Sequence, residues 1–178
     1  MLRLFAAIPI PPAFHRELTK LQRGLPGAKW RPAENFHITL RFAGDIDDHL
    51  ADDLDAELRA VQSESFTLHL EGANWFGKSE PRAVWIGVGA SEPLTQLQAR
   101  CEKAARRAGL EAETRNFKPH MTLAYLNKTP VDRLAAWCRD RTRFKTEPFQ
   151  VTHFSLYRSW SQKRGDNIYE TIADYPLV

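Results

Sequence analysis

NFHITLRFA (residues 35–43) and FKPHMTLAYL (residues 117–126) carry one pattern twice: a histidine, an apolar residue, a threonine, a leucine, any residue, then an aromatic. From the histidine onward both are rich in β-formers and alternate as a half-buried strand does. Residues i and i+2 of a strand point to one face, so His37 shares a face with Thr39, and His120 with Thr122. Ile38 with Leu40, and Met121 with Leu123, then anchor the opposite faces in a core. Each strand presents an imidazole beside a hydroxyl.

Outward from these strands the chain repeats itself. Before the first lies LRLFAAIPI (2–10), which reads as a buried strand, and a helix opened by Pro11-Pro12 that carries Phe14, Leu18 and Leu21 and stops near Gly24. After it, Gly44-Asp45 closes the strand, a helix runs from about Asp47 to Val61 with Leu50, Leu54 and Leu58 on one face, and a strand follows at 66–76. The second half starts with a strand at 83–89, reached by a Gly-Lys-Ser-Glu-Pro turn, and a helix from about Pro93 to Ala108 capped by Gly109. Beyond the second histidine strand come a helix from Val131 to about Arg143 and strands at 149–160 and 167–175. The histidines are 83 positions apart (37 to 120), as are the phenylalanines that open the following strands (66 to 149). A duplication packed about a pseudo-twofold axis accounts for this. The expected fold is α+β: one domain over residues 1–178 with two lobes, its repeats spanning roughly 1–80 and 81–178. Mostly antiparallel sheets line a central cleft, with helices outside.

The composition, 43% apolar and 26% charged, argues against extended disorder. A net charge of +3 and a pI near 9.0 permit an anionic partner without requiring one. Cys101 and Cys138 fall on apolar helix stripes and are expected to be buried thiols rather than a disulfide. The apolar run from Leu4 to Ile10 is too short for a membrane span and lacks the flanks of a secretory signal, so a cytoplasmic monomer without membrane association is expected.

One His-x-Thr is weak evidence of chemistry, because a half-buried strand histidine is commonly structural. Two, in the same context within a duplicated frame, point to a site. The motifs HITL (37–40) and HMTL (120–123) resemble the paired signatures of the two-histidine phosphoesterases. With RLFAAIPIP at the start and FSLYRS near the end, the chain is similar to their RNA 2',3'-cyclic phosphodiesterase branch, also called 2'-5' RNA ligases.

Opening a 2',3'-cyclic phosphate requires a base to take a proton from water and an acid to protonate the departing ribose oxygen, and histidine serves as either near neutral pH. Thr39 and Thr122 would donate to the non-bridging phosphate oxygens. The scheme needs no metal and no cofactor. The residues identify the pair without saying which member is acid; the resemblance implies that His37 is the proton donor and His120 the proton acceptor, with a 2'-phosphate as product.

Phe42 and Tyr125, five residues after each histidine, are candidates for stacking on a base. Their odd spacing turns them away from the imidazoles unless the strand ends or bulges there. Basic residues near the motifs (Lys29, Arg31, Arg41, Arg115, Lys118, then Arg158, Lys163 and Arg164) suggest a rim that tracks RNA, with Arg41 and Lys118 as possible direct contacts. His15, His49, His69 and His153 stand outside the repeated pattern and read as structural. Three rival readings are a metal enzyme with His37 and His120 as ligands, a non-catalytic RNA-binding module, and a two-histidine phosphodiesterase with another nucleotide substrate. Neither HExxH nor CxxC occurs to support the first.

Overall fold

A computed structural model describes residues 1–178. Ten strands and four α-helices follow in chain order: β1 (Leu2–Pro9), α1 (His15–Thr19), β2 (Ala28–Trp30), β3 (His37–Ile46), α2 (Asp48–Arg59), β4 (Phe66–Leu68), β5 (Leu70–Phe76), β6 (Ala83–Val88), α3 (Glu92–Ala108), β7 (His120–Leu126), α4 (Val131–Arg139), β8 (Phe149–Val151), β9 (His153–Trp160) and β10 (Ile168–Pro176). They build two four-stranded antiparallel sheets, ordered β10-β9-β1-β3 and β2-β7-β6-β5, and a two-stranded ribbon of β4 with β8. One histidine strand lies in each sheet, and β3 and β7 pack against each other. The architecture is the α+β, two-lobed one expected. A single cluster of 35 buried apolar residues runs through both lobes.

The ribbon marks the pseudo-twofold axis. Thr67 stands opposite Gln150, and its hydroxyl donates to Gln150 Oε1 at 2.9 Å. These two residues are themselves 83 apart, and the flanking pairs Phe66↔Val151 and Leu68↔Phe149 exchange under the same shift. Each copy of the repeated strand therefore meets the other at its own equivalent position.

The helices follow their sequence signals. Asp47 accepts from Leu50 N at 2.8 Å and Ser91 from Leu94 N at 3.2 Å, which satisfies otherwise unpaired N–H groups at the starts of α2 and α3. Gly109 ends α3 at φ +111, in the left-handed region that glycine adopts without a Cβ clash. Leu54 and Leu58 on α2, and Leu94, Leu97 and Cys101 on α3, are buried. Both cysteines are free and buried, as expected.

Several boundaries differ from expectation. The strand at 66–76 breaks at His69 and the strand at 149–160 breaks at Thr152, because the chain there leaves the ribbon and enters a four-stranded sheet. Phe66, Leu68 and Leu70 stay buried across the first break, so alternation is preserved while the pairing partner changes. Gly44-Asp45 does not end β3, which continues to Ile46 opposite Leu2. The helix after Pro11-Pro12 is a 3-10 turn (Pro12–Phe14) followed by the short α1, and α4 stops at Arg139.

Candidate active site

His37 is the first residue of β3, opposite Pro9, and His120 is the first residue of β7, opposite Gly87. Both rings are fixed in the same way. His37 Nδ1 donates to the carbonyl of Asn35 at 2.7 Å, and His120 Nδ1 donates to the carbonyl of Lys118 at 2.6 Å. The acceptor is in each case two residues upstream, so the duplication has copied the second contact along with the motif. A carbonyl cannot donate, so Nδ1 must carry the hydrogen and Nε2 is left as the exchangeable nitrogen. His37 Nε2 lies 3.0 Å from Thr39 Oγ1, and with Nδ1 protonated the hydroxyl donates to it in the neutral state. Thr122 shares the face of His120 and is half-buried like Thr39.

Aromatic rings wall both imidazoles. Phe5 and Tyr169 stand 4.9 and 5.4 Å from His37, centroid to centroid, while Phe76 and Trp85 stand 4.9 and 5.6 Å from His120. This apolar enclosure lowers the pKa of His37 to about 4: burial disfavours the imidazolium, the Asn35 carbonyl partly opposes the shift, and the charges of His120 and Arg31 add to it. Burial also lowers the pKa of His120, partly opposed by the Lys118 carbonyl, while the Lys118 charge adds to the lowering. The two rings stand at the first residues of β3 and β7, strands of different sheets that pack against each other.

A bulge in each strand decides where the aromatics point. In the β1–β3 pairing Ala6 faces Arg41 and Ala7 faces Thr39, which leaves Leu40 as the extra residue; in the β6–β7 pairing Val84 faces Ala124 and Trp85 faces Thr122, which leaves Leu123. One extra residue reverses the alternation beyond it. Phe42 and Tyr125 are thereby returned to the side of the histidines, where they are 38% and 49% exposed. The guanidinium of Arg3 lies 5.3 Å from the Phe42 ring centroid, and that of Arg31 lies 4.9 Å from Tyr125.

The same bulge corrects the expectation for Arg41. It follows the extra residue and points inward, 8% exposed, with its guanidinium bonded to Glu102 on α3 and to the carbonyl of Glu111, and 2.5 Å from the carbonyl of Phe42. A side chain so occupied holds α3 against β3 and is not placed to meet RNA. Lys118 is exposed, with Nζ 5.9 Å from the Phe76 centroid. Arg31 is buried and bonded to Asp166 at 2.7 Å, and Lys29 stands 3.9 Å from the same carboxylate. Arg115 pairs with Glu113, Arg158 stacks on Trp160, and Lys163 and Arg164 are exposed on the β9–β10 loop.

The other histidines lie apart from this pair. His15 Nε2 is 2.9 Å from the carbonyl of Ile10, His69 is near Glu71, His153 is near Thr152, and His49 lies exposed on α2. Burial pushes the thiols of Cys101 and Cys138 up to about 12 and about 11, which makes both poor nucleophiles. No three His, Cys, Asp or Glu side chains converge in a way that could hold a metal ion. Tyr169, Phe5, Phe76 and Trp85, which enclose the histidines, were not singled out by the sequence pattern, because large apolar residues on strands read simply as core.

The family model for the 2'-5' RNA ligase superfamily matches residues 10–162. An RNA 2',3'-cyclic phosphodiesterase of Aeropyrum pernix is 30% identical over 79% of this chain and 81% of its own length. One from Thermotoga maritima is 30% identical over 97% of this chain and 94% of its own. Among solved structures, Escherichia coli LigT complexed with 3'-AMP is similar with a TM-score of 0.78 at 26% identity, over 99% of this chain and 98% of that one.

Proposed function

Because the chain belongs to the 2'-5' RNA ligase superfamily, we propose that it is a hydrolase that opens 2',3'-cyclic phosphate ends of RNA to 2'-phosphomonoesters. The observation that carries this reading is the paired fixation of His37 and His120 through Nδ1, which leaves each Nε2 as the exchangeable nitrogen on a strand whose same face carries a threonine. Relatives named RNA 2',3'-cyclic phosphodiesterase support the substrate, and the 3'-AMP complex of LigT supports a nucleotide in the cleft.

In this scheme His120 Nε2 takes a proton from water as the water oxygen bonds to phosphorus, and His37 Nε2 gives a proton to O3' as the P–O3' bond breaks. The hydroxyl of Thr39 donates to His37 in the free protein. Once His37 is protonated its Nε2 becomes a donor, and Thr39 is released to donate to a non-bridging oxygen. Thr122 donates to a non-bridging oxygen from the other lobe, while Phe42 and Tyr125 offer faces to bases and Lys118 its charge to phosphate. Reversible 2'-5' ligation is the same chemistry with a ribose 5'-hydroxyl in place of water. The whole chain, residues 1–178, acts as one two-lobed unit, since each lobe supplies one histidine. It works as a cytoplasmic monomer; no helix is long and apolar enough to cross a membrane.

The reading is tested by offering RNA that ends in a 2',3'-cyclic phosphate beside the same RNA ending in a 2'- or 3'-monophosphate. Only the cyclic end is consumed; an RNA that is bound and never turned over would favour a binding module. The pH dependence follows from the two imidazoles, which titrate below 6.5 in the free protein, His37 at about 4. The profile of kcat/KM reports the free enzyme, so it is expected to be a bell with both limbs below pH 6.5. In the bound state an anionic phosphate favours the charged form of His37 and raises its pKa. The acid then loses its proton at higher pH, and the alkaline limb of kcat is displaced upward from that of kcat/KM. Coincident limbs would contradict the acid role.

A further inference from the structure

The turn between β5 and β6 holds charge that the two-histidine scheme does not use. Arg82 N donates to the carbonyl of Phe76 at 2.9 Å, and Trp75 Nε1 donates to the carbonyl of Lys78 at 3.3 Å, so the turn is closed on itself. Gly77 makes it possible: it sits at φ +97, and a Cβ there would lie 2.2 Å from the carbonyl oxygen of Glu80. Beside the turn runs an open groove of about 760 Å³ with Trp75 and Phe76 as its apolar residues and Lys78, Arg82, Lys118 and Glu80 as its charged ones. Three cations against one anion make it positive, and none of the three cations is held in an ion pair. The groove adjoins the catalytic space, because the Phe76 ring that lines it meets the His120 ring edge-on at 4.9 Å and Lys118 lines it while its carbonyl orients His120.

We infer that this groove is a subsite for the phosphodiester backbone of the nucleotides on the 5' side of the cyclic end. A 2',3'-cyclic phosphate occupies both free hydroxyls of the terminal ribose, so the strand continues in the 5' direction only. Each further nucleotide brings one anion, and a positive channel with aromatic walls is the form that single-stranded nucleic acid sites take. The inference rests on the proposed activity and adds length preference to it: an oligonucleotide is a better substrate than a mononucleotide.

The test compares the protein with a Lys78→Ala, Arg82→Ala double variant on two substrates, a nucleoside 2',3'-cyclic phosphate and a short single-stranded oligoribonucleotide with the same end. Neither residue touches the histidines, so turnover of the mononucleotide is expected to be unchanged. On the oligonucleotide kcat/KM is expected to fall about tenfold at low salt, and the slope of its logarithm against log salt to become shallower by roughly 1.4, at about 0.7 for each lost phosphate contact. An unchanged oligonucleotide rate, or an equal loss on both substrates, overturns the subsite. Equilibrium binding of an oligoribonucleotide with a plain 3'-hydroxyl separates this from failure of the activity itself. Weaker binding by the double variant supports the groove even if no cyclic end is turned over, and unchanged binding rejects it.

Discussion

His37→Gln and His120→Gln are each expected to lower kcat on a cyclic-phosphate end by about a thousandfold, within the range of about 10² to 10⁴ that general acid–base groups contribute. Glutamine keeps a hydrogen-bonding side chain of similar reach and removes the exchangeable proton. The two losses are expected not to multiply, because acid and base serve one displacement and the double variant lacks little that a single variant retains. Folding is expected to be nearly unaffected. Each substitution forfeits the bond to Asn35 or Lys118, worth about 1 kcal/mol, and for His37 it also removes a group whose charging burial opposes. Rapid-quench rates set beside urea denaturation curves check both halves of the expectation. Normal turnover by either variant would remove that histidine from the chemistry.

Glu102→Ala is expected to destabilise the fold by about 3 kcal/mol, since it leaves the buried guanidinium of Arg41 without its anion and also frees the Glu113 N–H that Glu102 accepts at 3.0 Å. Asp45→Ala, which breaks the exposed pair with Arg3, is expected to cost less than about 1 kcal/mol. The contrast separates a structural arginine from a surface one. If Arg41 met RNA instead, Glu102→Ala would release a cation and strengthen the salt dependence of RNA binding. With Arg41 serving the α3–β3 contact, the salt slope stays the same while the urea midpoint falls.

Much of this was legible because duplication leaves an arithmetic trace. His37 and His120, and the ribbon pair Thr67 and Gln150, all obey one shift of 83, so the paired histidine strands could be read from spacing alone. The bulges could not. Leu40-Arg41 looks like a continuation of inward and outward alternation, yet both residues are buried, because an anion on α3, 61 positions away, accepts the arginine. Period-two alternation records which way a side chain points and is silent about the partner strand, so the breaks at His69 and Thr152 were invisible. The three-residue β2 is too short to carry a pattern. Lys78 and Arg82 lie far along the chain from either motif, and no spacing links them to one; the contact that joins their turn to His120 is the Phe76 ring packed edge-on against the imidazole.

Two histidines, without a metal, are expected to open a cyclic phosphate at O3'. The direct measurement is to incubate the protein in excess EDTA with an RNA ending in a 2',3'-cyclic phosphate and to determine which ribose oxygen keeps the phosphate. Undiminished turnover and a 2'-phosphate are expected. A 3'-phosphate product, or activity abolished by the chelator and restored by a divalent cation, would contradict the two-histidine scheme.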